Sequence, residues 1–174
     1  MTEFLTRLVH GRSQNDNNTG AVNVPIYTSS TYAYETASSK VKYDYSRSGN
    51  PTRNYLEEQV ADLENGTRGF AFSSGVAAIH AVLAIFKPGD HIIISRQIYG
   101  GTFRLIHEYF ERWGIETTPV DMRNPSEIEA AVRDNTKAVY FETFSNPLLE
   151  VTSVRDVSKV ASKHGLLTIV DNTF

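Results

Sequence analysis

Several residue types and patterns are missing from this sequence, and each absence excludes a class of protein. None of the 174 residues is cysteine, which excludes disulfide bonds and thiolate metal sites. The formal net charge is only -3, so neither sign of charge indicates a nucleic-acid groove or an anionic membrane surface. No apolar run reaches the roughly 18 residues that a transmembrane helix needs. We therefore expect no nucleic-acid partner and no membrane association.

The histidines and the N-terminal segment exclude two further classes. The five histidines are His10, His80, His91, His107 and His164, and their spacings match neither HxxxH nor HExxH, so no metal site is expected. The N-terminal segment lacks the apolar stretch of a secretory signal. With no export signal and no cysteine, we expect a cytoplasmic location.

The composition is sufficient for a core preceded by an arm. Hydrophobic residues make up 40% of the chain, which is enough for one domain of this length. Residues 1–50 are rich in Ser, Thr, Asn and Tyr, and their only periodic part is a short amphipathic helix predicted around residues 2–9. We assign residues 1–60 to an N-terminal arm and the start of the first helix, and residues 61–174 to part of a larger domain.

From position 50 onward the sequence has regular signals. Asn50 is expected to cap a helix that starts at Pro51, and Gly66 is expected to be its C-cap. Predicted strands then alternate with predicted helices: the strands are FAFSS, HIIIS, ETTPVD, AVYFET and LLTIVD, and the helices are GVAAIHAVLAIF, GTFRLIHEYFERWG, NPSEIEAAVRDN and TSVRDVSKVASKHG. This pattern predicts an α/β fold, a mostly parallel sheet with helices on both faces. Because the last strand is apolar and uncovered, we expect the sequence to be the N-terminal portion of a longer protein.

Ligands of such sheets collect at the carboxyl ends of the strands, where two features have competing interpretations. SSGV, residues 73–76, opens a helix at a strand exit, and the free backbone N–H groups there favour a phosphate. It could equally be a tight turn in which Ser74 caps the helix. Tyr99, which precedes two glycines, could stack on a flat heteroaromatic ligand or be a half-buried core aromatic.

Polar and charged residues at other strand exits and in the arm are further candidates for binding a ligand. Asp171 ends an apolar strand, where a carboxylate is costly unless it meets a cation or several donors, although the next turn could supply backbone N–H groups. Glu142 and Asn146 frame ETFSNP, and Glu142 could instead be solvated or a cap. Tyr45 and Arg47 are placed to bind an anion, although such a polar segment could also be disordered. Together, a phosphate site, a stacking tyrosine and a carboxylate that keeps a pyridine nitrogen protonated fit pyridoxal 5'-phosphate (PLP).

Five stretches, YSRSGNPTR, SSGVAAI, YGGTFRL, ETFSNP and VDNTF, occur in one order over nearly the whole chain. With this set the sequence resembles the Cys/Met-metabolism family of pyridoxal-phosphate enzymes. The resemblance implies PLP fold type I with a large domain like that of aspartate aminotransferase. A C-terminal domain that is absent from this sequence is implied as well.

The resemblance implies roles for the residues that match the phosphate and ring motifs. Tyr45 and Arg47 are implied to reach the cofactor phosphate of a neighbouring subunit, so a homo-oligomer, either a dimer or a tetramer, is expected. Gly75 and Val76 are implied to bind the phosphate through their backbone. Tyr99 is implied to stack on the pyridine ring and to be the catalytic residue for proton transfer.

The resemblance also implies roles for the remaining strand-exit residues. Asp171 is implied to pair with the pyridine nitrogen, with Thr173 under the ring. Asn146, with Glu142 beside it, is implied to bind near the cofactor's 3'-oxygen and the substrate carboxylate. The lysine that holds the cofactor in this family follows Ser-x-Thr, and no lysine of this sequence stands in that context. These residues alone are therefore expected to be inactive.

The implied activity is that of a PLP-dependent lyase or transferase of sulfur amino acid metabolism. The leading expectation is cleavage or formation of cystathionine by γ-elimination or γ-replacement, as in cystathionine γ-lyase or γ-synthase. Of these two activities, that of γ-lyase is preferred. Cystathionine β-lyase, methionine γ-lyase and homoserine sulfhydrylase are the alternatives. Methionine γ-lyases typically have a cysteine where this sequence has Gly101, which disfavours that alternative. A different hypothesis is a truncated, non-catalytic segment that contributes to oligomer assembly.

Overall fold

The computed structural model describes residues 2–11 and 19–174. Two compact units divide the chain, Met1–Phe72 and Ser73–Phe174, and each is described by itself. Residues 12–18 of the predicted arm lie outside the described residues. The assignment of an arm and a partial cofactor-binding domain to these parts of the chain stays a prediction.

In its described residues, the first unit contains two helices, and residues 19–50 before the second helix have little regular structure. Helix α1 spans Thr2–His10, which confirms the helix predicted there, and α2 spans Pro51–Leu63. The Nε atom of Arg7 in α1 donates a hydrogen bond of 2.7 Å to Asp62 Oδ2 in α2. Between the helices, the backbone of Tyr45 forms an isolated antiparallel bridge with Thr31.

The ends of α2 confirm one capping prediction and correct another. The side chain of Asn50 accepts a hydrogen bond from the backbone N–H of Thr52 at the start of the helix, as predicted. At the other end Gly66 is not the C-cap, because Glu64 is the C-cap and the following Asn65 adopts a left-handed conformation with a φ of 52°. The N–H of Gly66 then bonds to Ala61 O at 2.7 Å, which completes a Schellman motif.

The strand predicted for FAFSS is wrong, because residues 70–72 form no strand. A strand exists only where a neighbour supplies ladder hydrogen bonds. The N–H of Ala71 instead donates to the Glu57 side chain at 3.0 Å, and Phe70 and Phe72 are exposed.

The second unit carries the sheet and the remaining helices. Its four strands are all parallel, in the order β2-β1-β3-β4. The elements in chain order are α3 Gly75–Leu83, β1 His91–Ser95, α4 Gly100–Leu105, β2 Glu116–Val120, α5 Pro125–Ala131, β3 Thr136–Glu142, α6 Val154–Lys163 and β4 Leu167–Asp171.

Helices cover both faces of this sheet, so the predicted fold class is confirmed. Successive side chains of a strand point to opposite faces of the sheet, so the isoleucines of β1 pack on both faces. Ile93 packs in a cluster with residues of α5 and α6, while Ile92 and Ile94 pack in a second cluster with residues of α3 and of the helical segment after β1. Right-handed crossovers account for this, since the chain moves from β1 to β2 in one direction and from β2 through β3 to β4 in the other.

The helix predicted for GTFRLIHEYFERWG is helical throughout but changes its hydrogen-bond pattern. The α-helical part α4 ends at Leu105, a π-helical turn spans Ile106–Phe110, and a 3-10 turn spans Glu111–Trp113. Residues four apart lie on the same face of a helix. Ile106 and Phe110 can therefore both be buried against the sheet.

Candidate active site

A cavity of about 380 Å³ opens at the carboxyl edge of the sheet, within the second unit. This volume lies in the range of small-molecule sites. The walls come from the start of α3 and from the exits of β1, β3 and β4. The lining residues are Ser74, Gly75, Val76, Ile79, Tyr99, Glu142, Phe144, Asn146, Asp171, Thr173 and Phe174.

The N-terminus of α3 gives the cavity a positively polarised wall. The Ser74 side chain caps the helix by accepting a hydrogen bond of 3.1 Å from the N–H of Ala77. The first N–H groups of a helix have no acceptor within the helix, and the helix dipole favours an anion beside them. A Cβ added at Gly75 would meet no protein atom within 4 Å, so a ligand can approach this backbone closely.

Tyr99 presents its ring to the cavity from the start of α4, and 45% of the residue is exposed. Its backbone N–H donates a hydrogen bond of 2.6 Å to Glu142 Oε1. A Cβ built at Gly101 would overlap the ring atom Cε1 of Tyr99. The ring therefore lies against a position that no larger residue could occupy unless the ring moved.

Glu142 is a buried carboxylate that connects two loops of the site. Only 6% of the residue is exposed. Burial raises its pKa, and the charge of Asp171 raises it further, while backbone N–H groups of Tyr99 and Asn146 lower it by donating to the charged form. In the β3–β4 ladder Glu142 is the direct partner of Asp171, so two acidic side chains lie side by side.

Asp171 lines the cavity with each carboxylate oxygen already hydrogen-bonded on the protein side. Oδ1 accepts from the N–H of Thr173 at 3.2 Å and from the Thr173 hydroxyl, and Oδ2 accepts from the Tyr140 hydroxyl at 3.3 Å. The backbone of the following turn thus supplies one donor and two hydroxyls supply the others. Within the described part of the chain, no lysine or arginine pairs with Asp171 or Glu142.

A second, smaller cavity at the exits of β1 and β2 is lined by residues that pair with one another. Its volume is about 60 Å³, which holds only a few water molecules. Arg123 lies 2.7 Å from Asp121 and 3.0 Å from Glu150, and the hydrogen bond from Arg123 lowers the pKa of Asp121 to about 2.

Within residues 2–11 and 19–174, no helix is long and apolar enough to span a membrane. No three acidic or histidine side chains of those residues are grouped to hold a metal ion.

The structure thus brings most of the predicted site residues to one cavity. The second unit contributes Gly75, Val76, Tyr99, Glu142, Asn146, Asp171 and Thr173. The other two, Tyr45 and Arg47, belong to the first unit, where the Arg47 guanidinium lies 4.9 Å from the centroid of the Tyr45 ring.

Comparison with known proteins identifies the family. The sequence model described as Cys/Met metabolism PLP-dependent enzyme matches residues 5–174. The chain belongs to this family. PLP is the cofactor of the family, and the resemblance read from the sequence is confirmed.

Individual relatives of the family are similar over the whole chain. Cystathionine beta-lyase of Lactococcus lactis subsp. cremoris is 53% identical over 174 residues, 100% of this chain and 46% of that protein. Cystathionine gamma-lyase of Bacillus subtilis (strain 168) is 49% identical over 169 residues, 97% of this chain and 45% of that protein. The crystal structure of cystathionine gamma-lyase from Lactobacillus plantarum complexed with L-serine has a TM-score of 0.91 at 48% identity, covering 98% of this chain and 45% of that one. The chain therefore spans less than half the length of these relatives.

The cavity of this PLP-family chain fits the cofactor in the chemistry of its donors. The open backbone at Gly75 suits a phosphate, and the half-exposed ring of Tyr99 suits a flat heterocycle. The carboxylate of Asp171, without a cationic side chain from the described residues, suits a pyridinium. The residues present therefore fit the family's cofactor.

Sequence reasoning assigned no role to several residues of the site and its surroundings. Ile79 and Phe144 supply apolar walls, and Tyr140 supplies a hydrogen bond to Asp171 from behind the cavity. Ile79 follows Gly75 by one helical turn, a spacing that the sequence already contained. The Tyr140 contact depends on the register between β3 and β4, for which the sequence holds no local signal.

Proposed function

We propose that the full-length protein containing this chain is a PLP-dependent carbon–sulfur lyase that cleaves cystathionine. The observation that carries the proposal is the environment of Asp171. This carboxylate lines a cavity of ligand size beside a second acidic side chain, and the protein cation that would balance it is missing from the described residues. A pyridinium ring supplies that positive charge.

Different residues around the cavity bind different parts of the cofactor. The backbone N–H groups of Gly75 and Val76 bind its phosphate at the N-terminus of α3. Tyr99 stacks on the ring, and Asp171 keeps the ring nitrogen protonated, with Thr173 holding one oxygen of that carboxylate. When bound, PLP supplies an electron sink for the charge that develops at the substrate α-carbon.

The substrate side of the cavity is assigned to the exit of β3. Asn146 binds the substrate carboxylate near the 3'-oxygen of the cofactor, and Tyr99 takes part in proton transfer. A substrate contact for Glu142 stays a prediction, while its hydrogen bonds give it a supporting role. By accepting the backbone N–H of Tyr99, it holds the start of α4, with the stacking residue, against the exit of β3.

The finer assignment concerns which carbon–sulfur bond is cleaved. We propose γ-elimination, which yields cysteine, 2-oxobutanoate and ammonia, as the first candidate. The β-elimination that yields homocysteine, pyruvate and ammonia is the second candidate, because a curated β-lyase is 53% identical to the chain. Methionine γ-lyase is disfavoured, because those enzymes typically have a cysteine at the position of Gly101 and this chain has no thiol there. Identification of the thiol and the oxoacid formed from cystathionine separates the two candidates.

Asp171→Asn in the full-length protein tests the proposal. Asparagine keeps the shape of the side chain but removes the charge that balances the ring, and loss of one partner of a buried ion pair costs about 3–5 kcal/mol. We expect cofactor affinity and turnover of cystathionine to fall on the order of a hundredfold or more. The melting temperature of the cofactor-free protein should stay close to wild type.

The control for this variant is Asp134→Asn, which changes an exposed loop carboxylate of the same unit. It should leave cofactor affinity and turnover unchanged. If Asp171→Asn retained wild-type affinity for PLP, the assignment of the cavity to this cofactor would be wrong.

We further propose that Tyr45 and Arg47 complete the cofactor site of a neighbouring subunit. Arginine binds a phosphate through two parallel hydrogen bonds, and the tyrosine hydroxyl adds a donor. Arg47→Ala should therefore weaken cofactor retention about tenfold. Mixed oligomers of Arg47→Ala and Asp171→Asn subunits should recover part of the activity, because some sites then combine two intact halves. Mixed oligomers as inactive as the single variants would contradict a shared site.

A further inference from the structure

Tyr140 lies in β3 two residues before Glu142, with its ring in the core on the α3 side of the sheet. Only 1% of the residue is exposed. A phenylalanine would fill the same apolar volume, so packing explains the ring but not the hydroxyl. Because a buried hydroxyl costs free energy unless it is hydrogen-bonded, its partner indicates its purpose.

The hydrogen-bond partner of the Tyr140 hydroxyl is the carboxylate of Asp171 on the neighbouring strand. The hydroxyl donates to Oδ2 over 3.3 Å, while Oδ1 accepts from Thr173. Each oxygen of Asp171 therefore has its own donor, one from inside the core and one from the turn after β4. Two donors on opposite oxygens restrict rotation of the carboxylate about its Cβ–Cγ bond.

The chemistry of the Tyr140 hydroxyl keeps it a donor. Burial raises the pKa of Tyr140 well above its ordinary value, and the negative charges of Asp171 and Glu142 raise it further. The buried Thr102 hydroxyl of α4 lies close enough to oppose this rise, but the two hydroxyls do not meet the geometry of a hydrogen bond. The proton of the Tyr140 hydroxyl thus remains available to Asp171.

We propose that Tyr140 is a positioning residue for the cofactor, and that its hydroxyl fixes the orientation in which Asp171 presents its carboxylate to the ring nitrogen. The inference rests on the proposed function. Asp171 lines the cavity and Tyr140 lies behind it, so Tyr140 acts through Asp171 and does not touch the ligand. Its place in the ladder, where it pairs with Ile169 two positions before the Glu142–Asp171 pair and so faces the same side of the sheet, sets the reach of the hydroxyl.

Tyr140→Phe in the full-length protein is the test, because it removes the hydroxyl and leaves the ring. Cofactor affinity is measured by equilibrium dialysis of the cofactor-free protein with PLP, and the visible absorbance of the bound cofactor is followed across pH. We expect at least about a tenfold loss of affinity, the lower end of the range for a hydrogen bond to a charged group, and a shifted pH profile. Tyr109→Phe, which changes a half-exposed tyrosine of the same unit, is the matched control and should change neither.

A double-mutant cycle with Asp171→Asn decides whether Tyr140 acts through that residue. In the Asp171→Asn background, Tyr140→Phe should lower PLP affinity by less than about twofold. An equal loss in both backgrounds, or wild-type affinity and pH profile in Tyr140→Phe alone, would overturn the inference. If Asp171→Asn weakens PLP binding while Tyr140→Phe does not, the proposed function stands without this inference. If Asp171→Asn itself has no effect, the proposed function fails.

Discussion

Gly101→Ala is expected to separate the stability of the protein from its affinity for the cofactor. A Cβ at this position would overlap Cε1 of Tyr99 and would lie 3.1 Å from both Cδ1 and Cζ of the same ring. The ring must therefore turn away from α4. Since the residue is 45% exposed, solvent is available for the displaced ring.

The expected change in stability is small because two effects of the substitution oppose each other. Alanine is favoured over glycine within a helix by about 1 kcal/mol. Turning the Tyr99 ring away from its rotamer costs about 0.5–1.5 kcal/mol. The free energy of unfolding should therefore change by less than about 1 kcal/mol. Loss of ring stacking is worth about 0.5–1.5 kcal/mol, which raises the dissociation constant of PLP roughly two- to tenfold.

The assay compares Gly101→Ala with Gly100→Ala in the full-length protein. Gly100 is the preceding residue of the same helix, and a Cβ there would meet no protein atom within 4 Å. Both variants should melt close to wild type, and only Gly101→Ala should bind PLP more weakly in equilibrium dialysis. Equal PLP affinity in the two variants would show that the position of the Tyr99 ring does not matter for binding, and the assigned role of Tyr99 would have to be abandoned.

Two further predictions concern buried polar groups of the sheet. His91 is fully buried between the hydroxyls of Thr118 and Thr136, and burial, together with a nearby arginine, lowers its pKa. As the pH falls below the ordinary histidine pKa of about 6.5, His91 takes up a proton in the unfolded chain but not yet in the folded one. The free energy of unfolding should therefore decrease as pH falls, by up to about 1.4 kcal/mol for each unit by which folding lowers the pKa of His91. The melting temperature should therefore fall less between pH 7 and pH 5 in His91→Asn than in wild type, and an equal fall would refute the reasoning. The Glu142→Gln variant keeps an acceptor for the Tyr99 N–H and should retain its affinity for the cofactor. Glu142→Ala should lose about tenfold in PLP affinity, measured by equilibrium dialysis. Equal losses of affinity in the two variants would mean that the charge of Glu142 matters and not its role as acceptor.

The sequence was sufficient to predict most of the elements, although not the C-cap of α2 and with a strand at FAFSS that does not form, and the edge of the sheet on which the site lies. Segments with the apolar pattern of strands alternate along the chain with segments that have the pattern of helices, and these segments predicted β1 to β4 and their helices. Asn50 predicted the start of α2. Parallel strands place their exits at one edge, which is why Tyr99, Glu142 and Asp171 could be grouped before their positions were known.

Other features could not be predicted because they depend on partners distant in the sequence. The strand expected at FAFSS needs a neighbouring strand, and in the described residues the N–H of Ala71 is used by Glu57 instead. The hydrogen bond between Tyr140 and Asp171 requires the register of two strands that are separated by a whole helix.

The strand order β2-β1-β3-β4 has a consequence for how the site tolerates change. The chain leaves β1 in one direction and continues from β3 in the other, so β1 and β3 flank the topological switch point of the sheet, where the connecting loops diverge and leave a crevice. The Tyr99–Glu142 hydrogen bond spans this crevice. Residues of the two loops that take no part in this hydrogen bond can therefore change, and substrate preference with them, without any alteration of the sheet beneath.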